Sequence, residues 1–308
     1  MKNIPSSATL IASSLHASMD EPFVYQGMCD ASAAAAIGPD LFVVANDERN
    51  QLKVYRRNHS VEEEEIDLSE FLDTKVDKES DLEGAATIGE RIYWISSHGR
   101  NKKGKFQEGR HRFFATELRN GKLIPVGKPY TRLLDDMIAA SQLQQYGLAE
   151  ASARMPEEVG AFNIEGLSAT PHGGVLIGLR NPAPLVIELL NPAQVIEGEP
   201  AQLGQVVKLD LGGLAIRSME LVGEAYMIIA GPHADHGDFA LYRWSGQAQD
   251  RPVRLAHQDF DKVRPEALFA IPGTRQLQIL SDDGGAHVKE LAQADQTFQS
   301  VTVTFPVA

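Results

Sequence analysis

The sequence predicts an all-β chain folded as a β-propeller of about five four-stranded blades, with six as the other admissible count, and a short helical insertion near 131–160. Three observations lead there. Pairs of short apolar strands recur, opening at Ser32, Glu83, Glu165, Arg217 and Glu266. The steps between these positions are 51, 82, 52 and 49 residues, and all but one sit near the length of a propeller blade. Within one period lie four runs of strand length, such as Gly166–Thr170, Val175–Leu179, Leu185–Leu189 and Gln205–Leu209. The long step contains about 30 extra residues of helical character, which leaves the repeat intact. A β-sandwich with coincidental turn spacing is the competing arrangement.

The N-terminal segment has one lysine ahead of a short apolar run, Ala8–Ala12, which is a poor export signal. No stretch approaches the ~20 apolar residues of a membrane helix, so a cytoplasmic location and no membrane partner are expected. The first repeat runs through Asp30–Ala34 and Leu41–Asp47. Glu62–Glu65 then reads as the solvated edge of an outer strand, where charge blocks unwanted pairing. The second repeat is Asp81-Leu82-Glu83-Gly84-Ala85-Ala86 followed by Arg91–His98. After it comes a long loop, Gly99–Arg112, with six basic residues against one acid.

In the insertion, Leu133, Leu134, Met137, Ile138 and Leu143 approximate helical spacing. A helix over Arg132–Tyr146, ended by Gly147, and a short second one near Leu148–Arg154 are predicted. The third repeat has a strand from Asn163, a tight turn at Pro171–Gly174, a second apolar strand and a polar exit at Arg180–Asn181. The fourth places strands at Ile216–Val222, Ala225–Ala230, Phe239–Arg243 and Val253–His257. Its loop Pro232–Asp238 carries His233 and His236, a weak transition-metal pattern. The fifth has Arg264–Leu268 and Gln276–Asp283. Val301–Phe305 alternates and is expected to close the ring against an N-terminal strand such as Ala8–Ser13.

The whole chain, 1–308, reads as a single propeller domain with 43% apolar residues, enough for a sizeable core. A formal net charge of -13 disfavours nucleic-acid binding, which needs a basic footprint. The lone cysteine, Cys29, excludes an intramolecular disulfide and reads as a small buried residue. No P-loop, Gly-x-Ser-x-Gly elbow, His-Glu-x-x-His or dinucleotide fingerprint occurs.

Propeller geometry brings the polar residues together. Consecutive strands in a blade are antiparallel, so the start of the first and the end of the second share a face. The first strand also lines the channel. Asp30, Glu83, Glu165, Arg217 and Glu266 should therefore ring one mouth. Outside them should lie Asn46–Asp47–Glu48, His98–Arg100, Arg180–Asn181, His233–His236 and Asp282–Asp283. The basic loop and the insertion should emerge on the same face.

Carboxylates this close cannot all ionise without compensation. They are protonated, or paired with Arg217, Arg180 and histidines, or they share a cation. Oxygen-rich, cysteine-free surroundings suit calcium or magnesium better than zinc. Alternatively each glutamate hydrogen-bonds the backbone of a neighbouring blade, with the following glycine allowing close approach. Both readings stay open at this level.

At Asp81–Ala85, Ile92–Gly99 and Asn163–Ser168 the chain resembles a bacterial domain-of-unknown-function family of about this size, over most of its length from about Asp30 to Asp283. The repeated Glu-Gly is more remotely similar to phytase-like and esterase-like propeller proteins. That likeness implies a propeller and metal-assisted phosphoester or ester hydrolysis. The fourth repeat departs from the pattern, with Arg217 where a glutamate is expected.

Two functions are expected on this basis. One is a divalent-metal hydrolase of an anionic small molecule. Asp30, Asp47, Glu83, Glu165 and Glu266 supply ligands to a cation, calcium first. His98 is its general base, and Arg100, Arg180, Arg217 and His233 grip the anion. The alternative is a noncatalytic propeller that binds a ligand or protein partner and whose polar ring is structural.

Overall fold

The chain opens with two short strands, β1 (Ser18–Met19) and β2 (Phe23–Gln26), and then lays down its sheets in sequence order. The first blade is β3 (Ala31–Ala36), β4 (Leu41–Asn46), β5 (Gln51–Arg56) and β6 (Glu62–Asp67). The second is β7 (Leu82–Ile88), β8 (Arg91–Ser96), β9 (Phe113–Arg119) and β10 (Lys122–Tyr130). The third is β11 (Asn163–Ala169), β12 (Val175–Asn181), β13 (Leu185–Leu189) and β14 (Leu203–Lys208). The fourth is β15 (Ala215–Val222), β16 (Ala225–Gly231), β17 (Ala240–Trp244) and β18 (Val253–Arg254). The computed structural model describes residues 18–46, 48–75, 78–156, 158–233, 237–255, 260, 263–284, 288 and 290–305.

The fifth blade joins the two ends of the described chain. It takes β19 (Pro265–Ala270), β20 (Gln276–Ser281) and β21 (Thr297–Thr304) from the C-terminal part. Its outer edge is built by β1 and β2, which pair antiparallel with β21 through Ser18↔Thr304 and Phe23↔Ser300. The expected closure between C- and N-terminal strands is therefore made with 18–26, and Ala8–Ser13 lies outside the described residues. This pairing covers the edge that β21 would otherwise present unpaired.

The inner strands β3, β7, β11, β15 and β19 contact one another in that order and back to β3, which completes the five-bladed ring. Five apolar clusters fill the five gaps between blades. Trp94 and Phe114 pack against Val43 and Leu52, for example, and Tyr25 and Phe42 against Phe269 and Phe298. Inner strands buried on both faces explain why their sequences run apolar rather than alternating.

The short second helix of the insertion is present as expected, but the first is broken in two. The insertion is α1 (Leu133–Ala139), a 3-10 turn over Ser141–Tyr146 and α2 (Leu148–Ser152). Ala140 is extended, with ψ 123, and Gly147 is left-handed, with φ 59. These breaks let Leu133, Met137, Leu143 and Leu148 all enter the core between blades two and three, which one straight helix would not allow.

Glu62–Glu65 does lie on an outer edge strand, but it is not merely solvated. The Lys53 side chain is buried, with the whole residue 1% exposed. Its ammonium lies 2.7 Å from Glu62 and 3.1 Å from Glu65. Cys29 is buried, and its thiol donates to Asp30 Oδ2 at 3.1 Å.

A polar ring built on five bulges

Each inner strand carries an irregularity near its start, and the third carries a second one between Asn163 and Ile164. The register with the second strand shifts between Ala31 and Ala33, Leu82 and Gly84, Ile164 and Gly166, Ile216 and Ser218, and Pro265 and Ala267. The residues left over are Ser32, Glu83, Glu165, Arg217 and Glu266, the five positions at which the repeats align. A bulge inserts an unpaired residue and re-aims its side chain. Four of the re-aimed groups are brought together, for Arg217 in blade four feels the charge of Glu83 in blade two as well as those of Glu165 and Glu266.

Arg217 is the centre of the ring. Its Nε donates to Glu266 Oε2 at 2.9 Å, and its Nη2 donates to Glu266 Oε1. The same Nε lies 3.1 Å from Glu165 Oε2. Glu165 Oε1 accepts from Arg180 Nη1 at 2.7 Å and from Asn163 Nδ2 at 2.8 Å. Arg180 also donates to the His233 carbonyl at 2.7 Å, and the His233 ring bonds Asn181 Oδ1 at 2.9 Å. Burial opposes the charge on Arg217, yet Glu165 and Glu266 hold its guanidinium above the usual arginine range. Burial raises Glu266 to about 7 against the pull of Arg217.

A second network stands beside the first. Asp81, in the left-handed region at φ 53, precedes β7. Its carboxylate accepts from Arg110 Nη1 at 2.7 Å and from Ser97 Oγ, while Arg110 also grips Glu79. Burial raises the Asp81 carboxyl despite Arg110 and Ser97. Asp81 and Asn163 occupy the same place in their repeats, two residues before the bulge. That shared spacing was the signal by which both belong with the ring.

The other expected site residues are dispersed. Glu83 is half-buried on its bulge, with its charge bearing on Arg217 and Arg110. Asp30 is buried and joins Asp282 in a backbone bridge between blades one and five. Arg100 turns from the ring and donates to the Ser152 carbonyl at 2.9 Å, tying the basic loop to α2. His98 is 1% exposed, and its Nδ1 donates to the Ser96 carbonyl at 2.8 Å. Burial, with His111 beside it, pushes His98 down to about 3. Asp47, Asp235 and His236 lie outside the described residues.

The blades are locked through backbone groups, but by serines and by Glu220, which accepts from Ala270 N–H at 3.5 Å, rather than by the glutamates on the bulges. Ser32 Oγ donates to the Leu82 carbonyl at 2.6 Å, and Leu268 N–H donates to Ser218 Oγ at 3.3 Å. Glu165 and Glu266 on the bulges reach arginines instead. The glycines after them permit close approach. A Cβ on Gly84 would stand 2.8 Å from Leu167 Cβ, and one on Gly166 would stand 3.1 Å from Ile216 Cγ2.

As a cage for a divalent cation the ring has a guanidinium where a cage needs an oxygen, since Arg217 stands between Glu165 and Glu266. Among the described residues, no group of three or more His, Cys, Asp or Glu is placed to hold a metal ion. Nor is any helix among them long and apolar enough to cross a membrane.

A family model described as protein of unknown function (DUF3616) matches residues 30–120 and 130–278. No curated protein matches the chain. Among solved structures, glutaminyl cyclase from Myxococcus xanthus superposes with a TM-score of 0.52 at 8% identity, covering 94% of this chain and 97% of its own. The PQQ-bound aldose sugar dehydrogenase from Streptomyces coelicolor gives 0.46 at 10% identity, covering 94% and 99%. At such identities the first likeness speaks for the fold alone.

Proposed function

The chain belongs to the DUF3616 family of proteins of unknown function, and from that premise we propose that it is a noncatalytic propeller that binds a small polar ligand at the mouth lined by its bulges. The polar ring in this reading is structural and recognitive. The observation that carries it is the placement of Arg217 between Glu165 and Glu266. The two carboxylates in contact with Arg217 and Arg180 match those guanidiniums in formal charge. The group that would act as general base, His98, is buried and held at about 3, far from the poise a base needs near neutral pH.

The test is a set of thermal melts after chelation, repeated with calcium, magnesium, manganese and zinc. No cation is expected to raise the melting temperature, and Glu165→Gln is expected to lose the same stability with and without metal. A cation held in the folded state would instead stabilise by about 2.7 kcal/mol at a hundredfold excess over its dissociation constant. If calcium does this and Glu165→Gln abolishes it, a divalent-metal hydrolase of phosphoesters or esters replaces the present reading. That outcome would also favour the likeness to phytase-like propellers.

A further inference from the structure

Four buried polar atoms around Glu165 have no hydrogen-bond partner among the described residues. They are Asn163 Oδ1, Glu165 Oε2, Arg180 Nε and Arg217 Nη1. Glu165 Oε2 stands 3.1 Å from Arg217 Nε as an ion pair but accepts no aligned hydrogen bond. The owners of all four atoms are already joined through the Glu165 carboxylate. Native proteins rarely leave buried donors and acceptors unanswered, so such a cluster marks a missing partner. Arg217 is 7% exposed as a residue, and the donor it leaves unanswered is itself buried.

The inventory defines that partner. Two atoms are acceptors and two are guanidinium donors. Among the groups in direct contact, Glu165 and Glu266 face Arg180 and Arg217 and balance in formal charge, while the half-buried Glu83 acts on Arg217 from farther off. An added ion would be uncompensated in a buried place, where unpaired charge is costly. A neutral group offering a carbonyl oxygen and N–H together answers both pairs. The four atoms are themselves shielded from solvent, but the cluster lies just beneath the surface, for Asn163, Glu83 and Arg180 around it are half-buried and His233 is exposed.

We propose that the mouth around Glu165 binds its ligand through a neutral carboxamide or ureido group. The carbonyl oxygen accepts from Arg180 Nε and Arg217 Nη1. The N–H groups donate to Glu165 Oε2 and Asn163 Oδ1. This assignment rests on the ligand-binding reading above and names the chemistry of its ligand.

The experiment follows the arginine side-chain N–H resonances of the 15N-labelled full chain. Propionamide and methylurea are titrated in, with propionate and ethylammonium as charged counterparts, up to about 100 mM, the range suited to a probe of so few atoms. The Arg180 and Arg217 resonances are expected to shift saturably with the amide and the urea, and about tenfold more weakly with either ion. Asn163→Ala removes one acceptor, and Arg180→Lys keeps a cation beside Glu165 while removing Nε. Each is expected to weaken propionamide by at least about threefold. Saturation by propionate or ethylammonium in place of the amide overturns the inference and leaves the ligand-binding reading standing. If no probe moves either resonance, the atoms are answered by an ordered water only, and both fall.

Discussion

Arg217, on the inner strand of the fourth blade, grips both carboxylate oxygens of Glu266 on the fifth, while its Nε stands 3.1 Å from Glu165 on the third. One side chain therefore holds three neighbouring blades at the point where their inner strands bulge.

Removing it should be costly for a definite reason. Arg217→Ala leaves two buried carboxylates facing each other, and loss of one partner of a buried pair typically costs about 3–5 kcal/mol. Replacing Arg217 and Glu266 together by Met and Leu should cost less than Arg217→Ala alone, because no unpaired Glu266 remains. Urea unfolding of the two variants reads the difference. A double variant less stable than the single one would mean that packing, not charge, dominates there.

The pH dependence follows from His98 and His111. Burial holds them at about 3 and about 4, below the ordinary 6.5. A group with a depressed folded pKa contributes stability that is complete above 6.5 and drains away as pH falls through its folded value. Each contributes a slope of up to about 1.4 kcal/mol per pH unit within its window. Glu266, raised to about 7, acts in the opposite sense, with its share complete below 4.5 and lost as pH rises through 7. His98→Asn suits the position, since His98 has φ 54 and asparagine tolerates that region. Unfolding measured from pH 7 to 4.5 should show a shallower acid loss in His98→Asn, and an unchanged slope would refute the assignment.

Gly84 and Gly166 are predicted to resist even alanine. A Cβ on Gly84 would lie 2.8 Å from Leu167 Cβ and 3.1 Å from the Leu167 backbone nitrogen, so the second and third inner strands would have to part. Such overpacking costs about 1–3 kcal/mol. The lowered melting temperature of Gly84→Ala checks it, and a neutral substitution would show that the strands yield easily.

Closure of the ring is tested at Tyr25. Its ring is fully buried, stacks on Phe298 at 5.0 Å and meets Phe42 at 5.3 Å, and its strand is the outer edge of the fifth blade. Tyr25→Ala should lower stability by about 3–5 kcal/mol, as for other large buried aromatic residues. Deleting residues through Gln26 should go further and expose β21. Aggregation on size-exclusion chromatography is the expected sign.

Much of the architecture was legible because it is periodic. Steps near fifty residues, apolar strand pairs and the polar residue at each strand start are local patterns, and a propeller repeats them at a fixed interval. The helical insertion was legible as excess length with Leu and Met at helical spacing. Its break at Ala140 was not, because it answers to the shape of the gap between blades two and three. Lys53 illustrates the same limit. Nothing beside it in the sequence marks a buried ammonium, and its partners Glu62 and Glu65 arrive from the neighbouring strand.

The chain's own order of residues determined the propeller class, the position of the insertion and the five positions at which the inner strands bulge. Tertiary structure alone decided how those residues use their charges. Each bulge leaves one residue out of register, and ring closure sets Arg217 beside Glu266 and Glu165, which are 49 and 52 residues away along the chain. Coulomb energy falls with distance in space and carries no record of separation along the chain. A list of acids and bases therefore names the members of the ring, while only the fold assigns their partners.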